Sequence, residues 1–97
     1  MPRPRMRRRV RFTPSVTYYK PAGVRMTDLE EVVLLPDELE ALRLKDVEGN
    51  EQEPAARQMN VSQPTFHRIL ASARKKVAQA LVKGKALRIT TTQDGKQ

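Results

Sequence analysis

The 97-residue sequence contains no cysteine and no tryptophan, and only two tyrosines and two phenylalanines. The missing cysteine excludes disulfides and zinc–thiolate sites. It fits a reducing compartment, and a cytoplasmic location is the expectation. Aromatic residues at 4% and apolar residues at 38% suit small packed helices better than a sandwich or barrel. No apolar run approaches the roughly 18 residues of a membrane span, so no membrane partner is expected. Met1-Pro2-Arg3-Pro4-Arg5 is basic, but no apolar signal core follows it. His67 is the single histidine, and no Ser-His-Asp arrangement, metal-ligand set or glycine-rich phosphate loop can be assembled. Neither an enzyme nor a bound cofactor is expected.

What is abundant is positive charge, and its distribution says more than its net value of +8. Arg3, Arg5, Arg7, Arg8, Arg9, Arg11, Lys20 and Arg25 give residues 1–25 a charge of +8 with no acid among them. Residues 26–53 carry ten acids against Arg43 and Lys45, and residues 54–97 carry nine bases against Asp94. The chain is basic, acidic, then basic. Two basic blocks suit a polyanion, with the acidic block turned away from it or paired within the fold. Basic tails that merely aid solubility would look the same, so the case rests on the segment between them.

Pro2, Pro4, Pro14, Pro21 and Gly23 make residues 1–26 an extended basic arm. Within it Arg9-Val10-Arg11-Phe12 alternates as an edge strand does. Asp28 to Leu35 is ambiguous. Leu29, Val32 and Val33 have helical spacing behind a capping Thr27, yet Val32-Val33-Leu34-Leu35 equally suits an extended chain.

Three helices are expected in a domain of residues 27–84. Pro36 opens the first, Asp37 and Glu38 favour its N-terminal dipole, and Gly49 stops it, giving about 36–47 with Leu39, Leu42 and Val47 inward. Pro54 is tolerable only in a first turn, so the second helix is about 52–59, with Ala55, Ala56 and Met59 on one face. Ser62 caps the third, 63–83, whose stripe is Phe66, Ile69, Leu70, Ala73, Val77, Ala80 and Leu81, with Gly84 as the stop. At 1.5 Å per residue it is about 30 Å long. Residues 85–97 form a basic, mostly flexible tail, although Lys85-Ala86-Leu87-Arg88-Ile89-Thr90 alternates and is a candidate partner strand for Arg9–Phe12. The fold class expected is therefore all-α.

Two short helices joined by a three- or four-residue turn form a helix-turn-helix, spanning about Gln52 to Ala71 here. Ala56 is the small residue at the crossing, Asn60 accepts the left-handed turn position, and Val61, Phe66 and Ile69 pin the third helix to the second. With Phe66, Ile69 and Leu70 inward, Gln63, Pro64, His67, Arg68 and Ala71 face out and are the candidate base contacts. Gln63 suits adenine, Arg68 guanine, and Pro64 and Ala71 a thymine methyl. Ser62, Thr65, Arg74, Lys75 and Lys76, with Arg7, Arg8, Arg9 and Arg11 of the arm, are the candidate phosphate contacts. A solvated basic face is the blander reading of Arg74-Lys75-Lys76.

The residues also resemble a family. Asp37-Glu38-Leu39-Glu40-Ala41-Leu42-Arg43-Leu44, Glu48-Gly49, Ala55-Ala56, Val61-Ser62, Thr65-Phe66, Arg68-Ile69-Leu70 and Ala73-Arg74-Lys75-Lys76-Val77-Ala78 are similar to uncharacterised protein family 0251, domain of unknown function 134. So are Met1-Pro2-Arg3-Pro4, Lys20-Pro21-Ala22-Gly23 and Gly84-Lys85-Ala86-Leu87-Arg88-Ile89. The helical part resembles region four of sigma factors. These resemblances imply a prokaryotic protein that binds double-stranded DNA and regulates transcription. The chain departs from the pattern at Asn60, where the family usually has Gly, at Pro54, where an acid is usual, and at Arg7, where many relatives have Cys. Any thiol-based or metal-based sensing therefore does not carry over. RNA polymerase is the alternative partner, for a stand-alone interaction module like sigma region four. A homodimer is required if the DNA target is palindromic. RNA binding lacks an aromatic stacking motif.

Overall fold

The computed structural model describes residues 8–91. Strand β1 is Tyr18–Tyr19, and a 3-10 turn, Met26–Asp28, leads to β2, Glu31–Leu34. Helix α1, Pro36–Leu42, runs directly into a π-helical turn, Arg43–Val47. Helices α2, Gln52–Gln58, and α3, Gln63–Lys83, follow, and β3, Ala86–Ile89, comes last. The three strands form one sheet in the order β1-β3-β2, with β3 antiparallel to β1 and parallel to β2.

The protein is therefore α/β, and the all-α expectation is wrong. The reason lies in length and distance. Strands of two and four residues are too short to display a period, and their pairing joins opposite ends of the chain. Tyr18 lies against Arg88, and Val32 against Leu87. Val32-Val33-Leu34, which spacing left open between helix and strand, is extended, and its alternation buries Val32 and Leu34 while Glu31 and Val33 stay exposed. Residues 86–89, placed in a flexible tail, are instead the central strand. Arg9–Phe12 is not a strand: the partners of β3 are Tyr18–Tyr19 and Glu31–Leu34.

The three helices lie where their caps and stripes put them, with two local differences, at Val47 and Leu81. Val47 is 78% exposed, whereas Leu44 is fully buried. The π turn lies here: the Glu48 N–H donates to the Arg43 carbonyl five residues back at 2.9 Å, which carries Val47 off the inward stripe, while Leu44 follows buried Glu40 and Ala41 at ordinary helical spacing. The Asn50 side chain and backbone N–H both donate to the Leu44 carbonyl, at 2.9 and 3.0 Å, closing this end.

The core has two connected parts. Ala41, Leu44, Ala55, Ala56, Met59, Phe66, Ile69 and Leu70 pack α1, α2 and the first half of α3 together. Leu34, Ala73 and Ile89, with Leu39, Leu42 and Leu87 beside them, pack the sheet on α1 and the middle of α3. The expected stripe of α3 is buried at Phe66, Ile69, Leu70, Ala73 and Ala80, but Leu81 is 78% exposed.

Candidate nucleic-acid interface

Four residues, Met59 to Ser62, join α2 to α3. Asn60 has φ 61° and is the non-glycine residue with positive φ among the described residues. That conformation costs most residues about 1–2 kcal/mol and is tolerated by asparagine. The Val61 N–H donates to the Ala56 carbonyl at 3.1 Å, and the Asn60 N–H to that of Arg57 at 3.0 Å, so the turn closes back on α2. Ala56 is buried at the crossing. Ser62 caps α3: its Oγ accepts from the Thr65 N–H at 3.2 Å. Pro64 sits in the first turn of α3, where no intrahelical donor is lost.

With Phe66, Ile69 and Leu70 buried, the opposite face of α3 is open. Gln63, Pro64, His67, Arg68 and Ala71, the five candidate base contacts, are all exposed. Four of them, Gln63, Pro64, His67 and Arg68, line one shallow cleft of about 330 Å³ together with Gln52. Gln52 was missed by sequence reasoning. Its amide Nε2 lies 3.3 Å from Nδ1 of His67, and only the packing of α2 on α3 brings them together. The Arg68 guanidinium donates to Oγ1 of Thr65 at 3.2 Å, and Ser62 Oγ–H donates to the same oxygen at 3.0 Å. The three side chains thus organise one another around the first turn of the helix.

The candidate phosphate contacts divide into two groups. Lys75 is exposed on α3. Arg74, by contrast, is held by Asp46 of the π turn through two hydrogen bonds, 3.0 and 2.5 Å. This fork lowers the Asp46 pKa and raises that of Arg74. Lys76 donates to the buried carboxylate of Glu38 at 2.8 Å, a group that also accepts from Ser72 Oγ at 2.6 Å and from the Leu35 N–H at 2.9 Å. Lys76 is thereby a structural cation, because withdrawing it would leave a buried charge uncompensated. The acidic block does pair with basic residues within the fold at these points.

The described part of the arm begins at Arg8. Arg8 pairs with Asp37 at 3.4 Å. The backbone N–H of Arg9 donates to the Met59 carbonyl at 3.0 Å, three residues before the cap of α3. The side chains of Arg9 and Arg11 are exposed. Arg3, Arg5 and Arg7, and all but the first residue of segment 91–97, lie outside the described residues.

Among the described residues no group of three or more His, Asp or Glu side chains is placed to hold a metal ion, and no helix is long and apolar enough to cross a membrane.

Comparison with known proteins gives a family. Residues 1–96 match the family described as "Protein of unknown function DUF134". A UPF0251 protein of Moorella thermoacetica is 65% identical over 89 residues, which are 92% of this chain and 60% of the relative. UPF0251 proteins of Pelotomaculum thermopropionicum and Caldanaerobacter subterraneus are 61% and 60% identical, over 93% and 92% of this chain and 68% and 75% of their own lengths. The chain thus spans about three fifths of the Moorella relative. No solved structure matches.

Proposed function

This chain belongs to the DUF134 family, and we propose that it is a sequence-specific duplex-DNA-binding protein, a cytoplasmic transcription regulator that lays α3 in the major groove. The observation that carries this reading is the open face of α3. Gln63, Pro64, His67, Arg68 and Ala71 are exposed on a helix whose other face is locked by Phe66, Ile69 and Leu70. Such a helix presents donors and acceptors in the geometry that base edges require. Ser62, Thr65 and Lys75 then flank the groove as phosphate contacts, with Arg9 and Arg11 on the arm side.

A second reading is an interaction module of the transcription machinery, with RNA polymerase as partner. One observation favours it: Arg74 and Lys76 are engaged by Asp46 and Glu38, which leaves α3 with fewer cations for phosphate.

Selection of bound sequences from a random duplex pool at about 150 mM salt, near physiological ionic strength, separates the two. One enriched motif, lost when Gln63 and Arg68 are replaced by alanine, establishes a specific DNA reader, and a palindromic motif makes it a dimer. Absence of any binding transfers the function to the interaction module, with co-purification of RNA polymerase as its test.

A further inference from the structure

Glu40 is a carboxylate only 2% exposed, in the middle of α1. It is fully partnered. Arg43, one turn on, donates Nε to one oxygen at 3.0 Å and Nη2 to the other at 2.8 Å. The remaining partner is not on the helix: the backbone N–H of Arg11 donates to Oε2 at 3.2 Å. The Phe12 ring lies 5.9 Å from the Arg43 guanidinium carbon, within cation–π range. Arg43 in turn reaches Glu48. Two residues upstream, the Arg9 N–H is tied to Met59 at the end of α2. A segment with no regular structure of its own is thus fastened through its backbone at two points, to α1 at Glu40 and to the end of α2 at Met59. Both fastenings use its backbone and leave the Arg9 and Arg11 side chains outward.

A helix core gains little from a buried acid, since desolvation opposes it and an apolar residue of similar size would pack as well. What the acid adds here is a second backbone anchor for a basic segment whose other ties are the Arg9–Met59 hydrogen bond and the Arg8–Asp37 ion pair. We infer that Glu40 is a positioning residue for nucleic-acid binding: it clamps the arginine arm across α1 and beside the α2–α3 turn, so that arm and α3 meet the duplex as one surface in fixed register. This rests on the DNA-binding reading above. A clamped arm has already lost the conformational entropy that a free one surrenders on binding, so its cations act at full effect.

The test compares three variants of the full chain with the wild type on a random-sequence duplex across a salt series. In Glu40→Gln the size is kept and Arg43 retains Glu48, but the anion that holds the arm is gone. Arg9→Gln with Arg11→Gln removes the two outward charges and keeps the backbone donors. The third variant combines all three changes. The charge variant lowers the salt slope by about 2. Glu40→Gln alone weakens binding and lowers the slope toward the same value, and it has little further effect in the combined variant. Hydrogen exchange at the Arg11 amide speeds up at the same time. Phe12→Ala, at a half-exposed ring, loosens the clamp from the arm side and acts in the same direction should Glu40→Gln not fold. The inference is overturned if the Arg11 amide is released while affinity and slope stay at wild-type values. It is equally overturned if Glu40→Gln weakens binding as much without the arm charges as with them. A wild type that binds no duplex at any salt removes the DNA-binding reading itself, a distinct result.

Discussion

At the scale of single residues, Gln63 and Arg68 among the candidate base contacts make the sharpest prediction. Alanine at Gln63 or Arg68 is expected to cost about 1–3 kcal/mol of specific binding and to relax the preference at one base pair. A uniform loss over all sequences in a competition assay would reassign that residue to phosphate. Asp46 makes the opposite prediction. It occupies both ends of the Arg74 fork, so Asp46→Asn frees a cation on α3. Binding to any duplex should then tighten and the salt slope should rise by about 1. The ion pair itself is exposed, and its loss should hardly move the melting temperature. A residue-scale pH effect comes from the outer face of the sheet. Glu31 accepts two hydrogen bonds from Arg88, at 2.9 and 2.8 Å, and one from Tyr18 at 2.8 Å. The Arg88 hydrogen bonds, and then that of Tyr18, bring its pKa down to about 2. The shift is a depression, so its contribution to stability is complete above the ordinary glutamate range near 4.3 and disappears as pH falls toward about 2. Carboxyl NMR titration should place the Glu31 midpoint there, and Arg88→Gln should return it toward its ordinary value.

At the scale of elements, the ends of α3 are defined by two different devices. Ser62 supplies a side-chain cap, and Ser62→Ala should lower stability by about 1 kcal/mol in thermal unfolding. Gly84 closes the other end at φ 65°, a conformation that costs a non-glycine residue about 1–2 kcal/mol. The helices were legible because each has such punctuation: Pro36 and Gly49, Pro54, Ser62 and Gly84. The π turn at Arg43–Val47 was not, since a change from i+4 to i+5 bonding leaves no mark in a stripe of leucines. Val47 therefore lies off the inward stripe. Open surface on α3 followed directly from its buried stripe, which is why the exposure of Gln63, Pro64, His67, Arg68 and Ala71 was legible. Gln52 was not found, because its place beside His67 depends on how two helices pack.

At the scale of the molecule, the sheet makes the two ends of the chain part of one unit. Ile89 is buried against Leu34 and Ala73, and Ile89→Ala should cost about 2–5 kcal/mol. A flexible tail would tolerate the change without effect, and chemical denaturation distinguishes the two. The charge pattern, basic then acidic then basic, also resolves only at this scale. Asp37, Glu38, Asp46 and Glu31 meet Arg8, Lys76, Arg74 and Arg88, so much of the basic charge is spent within the fold and the outward remainder is concentrated on α3 and the arm.

Local signals by themselves determined the three helices, the tight turn at Asn60 and the outward face of α3, because caps, breakers and a 3.6-residue period act over a few neighbouring residues. The sheet, the arm's route past Glu40 and the pairing of Arg74 with Asp46 were decided only by tertiary structure. Each joins residues far apart in sequence, and nothing in either partner alone specifies the other until the helices have packed.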